Sequence, residues 1–271
     1  NGNMEVVQTL AMEVPFTEEE YNKFYSELTH EFDKPQRTIT VSAEGSVTYK
    51  ALLFVPSSRP FNFYTEGYEK GLQLYSAGVL IMDKCDSLLP GYLRFVRGVV
   101  DSPDLSLNIS RELLQHDRQL KVIATALEKK IKSELLKMQK DDKEKYEKFW
   151  HAFGTQLKYG VVAAYGAKKD LLQDLLLFWS SKVNAYTTLA AYKDRMPEDQ
   201  KFVYYACGED PEKIAKLPPV ERILDKGYEI LYCTEDVDDS VMKALAELDG
   251  QQFTSVAAED ALPTTEEAKQ A

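Results

Sequence analysis

A long run of apolar residues at helical spacing, near the middle of the chain, constrains the fold more than any other feature. Its members recur every three or four positions and so share one face of an α-helix: Leu120, Ile123, Leu127, Ile131, Leu135 and Met138. A second stripe follows a capping-box pattern at Asp141 and Glu144, and Gly160 is placed to end it: Tyr146, Phe149, Trp150, Phe153 and Leu157. A third comprises Leu171, Leu172, Leu175, Leu176 and Trp179. Three such helices predict a bundle-like segment.

Both flanks of this helical segment mix strand and helix signals. On the amino-terminal side, Thr17 and Glu20 match a capping box, and strands are predicted at 38–42, 47–55 and 72–82, the last broken at Gly78. On the carboxyl-terminal side, strands at 202–207 and 228–233 alternate with a helix opened by Asp210, a second helical piece ended by Gly227, and a helix at 240–248. Alternation of this kind predicts an α/β fold with a small parallel sheet after the helices.

Charge and cysteine usage limit the kind of protein this is. The formal net charge of −11 argues against a surface for nucleic acid or anionic membrane, because both need clustered Lys and Arg. Cys85, Cys207 and Cys233 form no CxxC pair, which argues for free, buried or half-buried thiols rather than a disulfide framework or a zinc site. The first residues lack a signal-peptide pattern and no apolar run is long enough for a membrane span, so we expect a cytoplasmic protein.

The sequence contains few of the motifs that carry chemistry. Neither GxGxxG nor GxxxxGK[ST] occurs, so the common phosphate-binding loops are missing, and HExxH and GxSxG are missing as well. His30, His116 and His151 are scattered along the chain. The sequence therefore gives little support for an enzyme that works alone.

One segment, residues 97–115, has unusual local electrostatics. Ser110 is a good N-cap and Glu112 suits a first helical turn, yet Arg111 lies in that same turn. A cation there opposes the positive end of the helix dipole at a cost of about 0.3–1 kcal/mol. An anion beside the helix start, such as a phosphate, would offset that cost through the Arg111 guanidinium. Alternatively, Arg111 faces solvent or pairs with Asp101 or Asp104.

The segment DSPDLSLNISRELLQ, residues 101–115, resembles the signature of the ninety-kilodalton heat-shock chaperone family. Three further stretches are similar to that family: YKALLFVPSSRPFNFY (49–64), LYSAGVLIMDKCDSLLPGYLRFVRGVVDS (74–102) and DDKEKYEKFWHAFGTQLKYG (141–160). Together they cover most of residues 15–253 and correspond to the middle of the family's three-part architecture. The resemblance implies a larger αβα layer with the catalytic loop (1–125), a short helical coil (126–198), a smaller αβα layer (199–253) and a linker tail (254–271).

The resemblance also implies a role for the loop. In the family, the middle domain supplies an arginine and a glutamine to the ATP site of the N-terminal domain, and these fall on Arg111 and Gln115, with Asn108 and Ser110 shaping the loop. ATP and Mg²⁺ would be bound in the full-length protein, and we expect this chain alone to bind neither and to be inactive as an ATPase. The implied partners are the N-terminal ATPase domain, the C-terminal dimerisation domain and unfolded client proteins, with no nucleic acid and no membrane.

Two surfaces follow from the same resemblance. Leu80 occupies the position of an apolar contact with the N-terminal domain, although Ala77 and Gly78 replace basic residues found there in many relatives; a plain core role for Leu80 is the alternative. A client site is implied at the start of the last helix: Asp239, Ser240, Val241 and Met242. The aromatic residue found there in some relatives is missing, and Asp239 could be a simple helix-cap acid.

Three functions therefore remain open from the sequence. The first is a chaperone module that completes the ATPase of another domain and binds clients. The second is a rigid spacer or adaptor, in which Arg111 contributes nothing. The third is an independent α/β enzyme, which no motif supports.

Overall fold

The computed structural model describes residues 16–107, 110, 112, 117–163 and 165–262. The chain has the predicted α/β class, and it divides into two compact units between Phe153 and Gly154. The predicted boundaries of the larger layer, the helical coil and the smaller layer stay predictions. Two parts of that division differ from the structure, at Trp179 and after residue 254, and both are described below.

The first unit is built on a five-stranded mixed sheet. Its strands are β1 (Arg37–Ala43), β2 (Tyr49–Val55), β3 (Leu72–Ser76), β4 (Val79–Cys85) and β5 (Arg97–Asp101). Their order across the sheet is β1-β2-β5-β3-β4. Strand β5 lies in the centre, antiparallel to β2 and parallel to β3, while β3 and β4 form a hairpin. The break predicted at Gly78 is the turn of that hairpin.

Helix α1 (Glu18–Thr29) covers one face of this sheet. It begins with the predicted capping box, in which the Thr17 side chain accepts from the Glu20 backbone and the Glu20 side chain accepts from the Thr17 N–H. Its buried residues Phe24 and Tyr25 pack against Leu52, Phe54 and Val99 of the sheet. The sheet is therefore fixed beneath α1 at the central strand, β5.

Helices α2 (Arg118–Asp141) and α3 (Lys143–Ala163) bury both of the long stripes predicted from the sequence. The capping residue between them is Asp142 rather than Asp141, because α2 continues to Asp141 and the Lys145 N–H then donates to Asp142 Oδ1 at 3.0 Å. The prediction that Gly160 ends α3 is wrong. The left-handed residues that end it are Tyr165 and Gly166, at φ 49° and 80°.

A carboxylate on α2 anchors the edge strand β1. Glu134 Oε2 accepts from Arg37 Nε at 2.9 Å and from Nη2 at 2.8 Å, and Lys130 and Lys137 lie 3.2 and 3.3 Å from Glu134 Oε1. Burial alone would raise the pKa of Glu134, but the hydrogen bonds from these three cations outweigh it and lower the pKa to about 2.

The second unit holds a six-stranded mixed sheet. Its strands are β6 (Leu177–Ser180), β7 (Ala185–Thr188), β8 (Val203–Cys207), β9 (Ile230–Cys233), β10 (Glu247–Leu248) and β11 (Gln251–Ser255). Its helices are α4 (Lys169–Leu172), α5 (Leu189–Arg195), α6 (Pro211–Ala215), α7 (Pro218–Asp225) and α8 (Asp238–Leu245). The strand order is β10-β11-β8-β9-β6-β7; only the β11-β8-β9 part is parallel. The two strands predicted from the sequence, β8 and β9, are parallel as expected, and the antiparallel strands β6, β7 and β10 extend the sheet beyond that prediction.

The third predicted helical stripe is wrong beyond Leu175. Helix α4 and a 3₁₀ turn at Gln173–Leu175 end there, and Phe178 and Trp179 lie in β6, paired with Thr187 and Tyr186 of β7. An apolar run of this length fits a buried strand as well as a buried helix, and the partner strands decide between them.

The linker tail predicted from residue 254 also begins too early. Strand β11 extends to Ser255, Val256 and Ala261 are buried, and the Tyr204 hydroxyl donates to the Ala261 carbonyl at 2.6 Å. Residues 254–262 therefore complete the second unit. The last helix, α8, is Asp238–Leu245 rather than 240–248.

A buried group of charges joins α3 to α8 within the second unit. The Lys158 ammonium lies 2.7 Å from Asp238 Oδ1 and 3.0 Å from Glu235 Oε1, and the Thr155 hydroxyl donates to Glu235 Oε2 at 2.6 Å. Lys158 is 3% exposed and Asp238 1% exposed. Burial raises the pKa of Asp238, and the neighbouring Lys158 opposes that rise.

No helix in the described residues is long and apolar enough to cross a membrane.

Candidate functional site

The root of the loop that carries Arg111 is fixed by buried polar contacts at the end of β5. Ser102 is fully buried; its hydroxyl donates to the Thr48 carbonyl at 2.7 Å, and its N–H donates to the Tyr75 carbonyl at 3.1 Å. The Leu105 carbonyl accepts from the buried Ser76 hydroxyl at 2.7 Å. The first residues after β5 are thereby tied to the neighbouring strand β3 and to the start of β2.

Acidic side chains hold both ends of the same loop. Asp104 Oδ2 accepts from the Thr48 N–H at 2.7 Å, and Asp101 Oδ2 accepts from the Gly78 N–H at 3.0 Å. At the far end, Asp117 caps α2 by accepting from the Leu120 N–H at 2.8 Å. The two carboxylates that the sequence offered as partners for Arg111 therefore each accept a backbone hydrogen bond.

Three residues that the sequence singled out, Asn108, Arg111 and Gln115, lie outside the described residues, as does His116. Between them, Ser110 lies outside a helix and Glu112 is helical, and both are exposed. That arrangement is the one expected of an N-cap followed by a first turn. The contacts of Arg111 itself stay a prediction.

The turn of the β3–β4 hairpin lies beside this loop root. Leu80 and Val79, which follow the turn, are 47% and 51% exposed. Exposure of two neighbouring apolar side chains excludes the plain core role for Leu80. Because Asp101 bonds Gly78, the exposed apolar hairpin and the root of the Arg111 loop form one connected surface feature.

In the described residues no group of three or more His, Cys, Asp or Glu side chains could hold a metal ion.

Comparison with known proteins identifies the family. The family description "Hsp90 protein" matches residues 11–271. This chain belongs to the Hsp90 family. It is 56% identical over 242 residues to the chaperone protein HtpG of Clostridium botulinum, covering 89% of this chain and 39% of that protein. It is 55% identical over 255 residues to HtpG of Bacillus subtilis, covering 94% of this chain and 41% of that protein. The chain thus spans about two fifths of the length of these curated relatives.

Solved structures place the Hsp90 match in one part of the family's architecture. The middle domain of a heat shock protein from Plasmodium falciparum superposes with a TM-score of 0.79 at 27% identity, covering 89% of this chain and 96% of that one. The fold is therefore that of an Hsp90-type middle domain. The family resemblance drawn from residues 49–64, 74–102, 101–115 and 141–160 is confirmed.

The residues expected to contact clients divide into two groups on α8. Val241 and Met242 are buried, at 0% and 1% exposure, so in this structure neither presents its side chain to a client. Ser240 is exposed. Asp239 accepts from the Tyr205 hydroxyl at 3.1 Å and from Lys243 Nζ at 2.6 Å. The hydrogen bond from Lys243 lowers the pKa of Asp239, as expected for an ionised acid in a first helical turn.

An exposed aromatic side chain at residue 61 is a candidate that sequence reasoning missed. Phe61 is fully exposed, while its neighbour Phe63 is fully buried. Arg94 holds the segment, because its guanidinium carbon lies 4.6 Å from the Phe63 ring centre and 5.4 Å from that of Tyr68. Pro60 before Phe61 favoured a loop, but contacts distant in sequence decide which ring is buried: the Phe63 ring centre lies 5.0 Å from that of Tyr68 and 5.6 Å from that of Phe153.

Proposed function

We propose that this chain is the module of an ATP-dependent chaperone that supplies Arg111 to a nucleotide bound by the N-terminal domain of the same polypeptide. The observation that carries the proposal is the connected feature formed by the loop root and the hairpin, where Asp101 bonds Gly78 and leaves Leu80 exposed beside it. A loop anchored at Ser102 and capped at Asp117 can present an arginine from a rigid base.

The physical role proposed for Arg111 is that of an arginine finger. A guanidinium placed against the terminal phosphate of ATP stabilises the charge that develops as the phosphoryl group is transferred. Gln115 lies four residues later and would share its face of the helix. Asn108 and Ser110 would shape the loop. The nucleotide and its Mg²⁺ are assigned in this proposal to the N-terminal domain, and dimerisation to a C-terminal domain of the cytoplasmic chaperone.

Leu80 is proposed as the apolar contact with that N-terminal domain. An exposed leucine next to an exposed valine loses water on docking, which favours association by about 25 cal/mol per Å² of apolar surface buried. Because Ala77 and Gly78 stand in the turn, the contact proposed here is apolar and has no ionic contribution from those two positions.

The proposal is tested by Arg111→Ala in the full-length chaperone, with steady-state ATP turnover and ATP affinity measured on the same sample. We expect turnover to fall at least tenfold while affinity stays within about threefold, since the arginine acts on the transition state or the closed state. Arg111→Lys keeps the charge but not the planar fork, and it should recover only part of the turnover. Unchanged turnover in Arg111→Ala would support the spacer alternative instead.

Client binding forms the second part of the proposal, and Phe61 is its best-supported residue. A fully exposed aromatic ring on an anchored loop can bury a large apolar area against a partner. Asp239 and Ser240 remain candidates on α8; Val241 and Met242 would have to leave the core to take part. We expect Phe61→Ser to weaken binding of a destabilised model client by severalfold, as measured by fluorescence anisotropy. Tyr165→Ser, at an equally exposed ring on a turn, is the matched control.

A further inference from the structure

Two of the three cysteines meet at the carboxyl ends of neighbouring strands in the second unit. Strands β8 and β9 run parallel, and in their register Cys207 is paired directly with Cys233. The Gly208 N–H donates to the Cys233 carbonyl at 3.0 Å, which holds the two strand ends together. Because 25 residues separate Cys207 from Cys233 along the chain, no local motif indicates that the two are neighbours.

The two thiols differ in access to solvent. Cys207 is exposed, and Cys233 is 1% exposed. A hydrogen bond between them stabilises the thiolate of Cys207 and lowers its pKa, whereas the same bond and burial raise the pKa of Cys233. The pair therefore combines an accessible sulfur that favours the thiolate with a protected sulfur that keeps its proton.

The groups facing the pair come from α8, α3 and β8. The Lys243 ammonium favours the Cys207 thiolate, while the carboxylates of Asp239 and Asp238 oppose it. The Lys158 ammonium likewise favours the thiolate of Cys233, although the hydrogen bond with Cys207, burial and the Asp238 carboxylate outweigh it. The Tyr205 phenol lies on the same face of β8 and bonds Asp239. The thiols thus sit in a mixed, partly neutralised environment rather than in an isolated acidic one.

We propose that Cys207 and Cys233 form an oxidation site that hydrogen peroxide converts reversibly to an intramolecular disulfide. Adjacent strands lie about 4.8 Å apart, which is inside the range of about 4.4–6.8 Å between Cα atoms that a disulfide spans. Closing it requires rotation of two side chains and no exchange of strand partners.

The chemistry balances with peroxide as the only oxidant. The Cys207 thiolate attacks one peroxide oxygen, the O–O bond breaks, and the departing hydroxide takes a proton to become water, which leaves a sulfenic acid on Cys207. Cys233 then loses its proton as its sulfur attacks the Cys207 sulfur. The S–O bond breaks and the second hydroxide leaves as water. Two thiols are oxidised and one peroxide is reduced to two waters.

The test treats the full chain with hydrogen peroxide and counts free thiols after denaturation, together with intact mass and peptide mapping. The reduced chain has three cysteines, so we expect the count to fall from three to one, with the loss of two hydrogen atoms and a cross-linked peptide joining residues 207 and 233. Dithiothreitol should restore all three.

Three variants separate this outcome from its alternatives. Cys233→Ala should stop at a sulfenic acid on Cys207 that dimedone traps, Cys207→Ser should lose no thiols under the same treatment, and Cys85→Ala should still lose two. Circular dichroism melting of each variant confirms folding. The proposal is overturned if the folded wild type gives only sulfinic acid at Cys207, a disulfide between two chains, or no loss of thiols.

Discussion

The backbone N–H of Gly78 donates a hydrogen bond of 3.0 Å to the Asp101 carboxylate, which joins the exposed β3–β4 turn to the end of the central strand. Burial raises the pKa of Asp101, although the backbone N–H groups of Gly78 and Ala77 oppose that rise. The contact thus needs an acceptor at this position more than it needs a charge.

Replacement of Asp101 should separate those two requirements. Asp101→Asn keeps one oxygen acceptor for Gly78 and should destabilise the unit less than Asp101→Ala does. Asp101→Ala removes the acceptor and should cost about 1–3 kcal/mol, because the Gly78 N–H loses its partner. Urea denaturation monitored by fluorescence measures both. Equal losses in the two variants would show that the contact is not the stabilising element.

Leu80 should matter for docking rather than for stability. Leu80→Ser removes a side chain that is 47% exposed, so the unfolding free energy of this chain should change by no more than about 0.5 kcal/mol. If Leu80 docks as proposed above, ATP turnover of the full-length protein should fall severalfold because docking is weakened. Val183→Ser is the matched control, since Val183 is 44% exposed in the second unit. A fall in turnover in both variants would contradict a specific role for Leu80.

Lys158 should be among the most sensitive positions for stability. Lys158→Met leaves Asp238 and Glu235 without their shared cation, and Asp238 remains 1% exposed. Loss of one partner of a buried ion pair costs about 3–5 kcal/mol. Differential scanning calorimetry should therefore show a large fall in melting temperature.

Two controls accompany the Lys158 variant. Lys243→Met breaks an exposed pair with Asp239, which solvent screens, and should lower the melting temperature far less than Lys158→Met. The double variant Lys158→Met, Asp238→Leu removes both buried charges of the closest pair and should recover part of the loss. If Lys158→Met were no more damaging than Lys243→Met, the buried pair would not stabilise the unit.

Glu134 predicts a stability change at acid pH. Its pKa falls from 4.5 to about 2 on folding, so its contribution is fully present above pH 4.5 and is lost as the pH falls towards 2. At pH 6 we expect Glu134→Gln to be less stable than the wild type by about 1–2 kcal/mol, a modest value because solvent screens the partly exposed cations around Glu134. The difference in stability should disappear near pH 2. Guanidinium denaturation across a pH series measures it. A difference that does not depend on pH would refute the ion-pair explanation.

Gly98 in the central strand should not tolerate a side chain. Its φ is 148°, and a Cβ there would lie 2.1 Å from the Leu52 carbonyl oxygen and 2.9 Å from the Leu53 Cα. Gly98→Ala should therefore destabilise the first unit by several kcal/mol or prevent soluble expression, because backbone rather than a flexible side chain must move. A Cβ added at Gly45 would meet no atom within 4 Å, so Gly45→Ala should express and melt normally. Normal melting of Gly98→Ala would show that β2 and β5 can separate locally.

The parts of the fold that the sequence predicted are those decided by nearby residues. The capping box of Thr17 and Glu20, the two long stripes of α2 and α3, and the break at Gly78 all depend on spacings of a few positions, and all three features are confirmed. Trp179 was misassigned to a helix because its strand also pairs with Tyr232, which is distant in sequence, and the apolar pattern around it suits either structure.

The candidate sites were predicted to different extents for the same reason. Leu80 was expected to be an exposed contact only from the family resemblance, because the residue pattern around Gly78 left a core role open. Burial of Met242 could not be foreseen, because the sequence at the start of a short helix does not show which side of the helix packs against the core. The meeting of Cys207 and Cys233 depends on the register of two parallel strands, which no local pattern encodes.

The strand order of the two sheets has a consequence for synthesis on the ribosome. Every strand of the first sheet lies between Arg37 and Asp101, so that sheet can close while later residues are still being added. In the second sheet, β8 at Val203–Cys207 has as one neighbour β11, which ends at Ser255. One edge of β8 therefore stays unpaired through the translation of almost fifty further residues. During that interval this chaperone domain is itself a nascent chain with an open sheet edge, the kind of surface that aggregates.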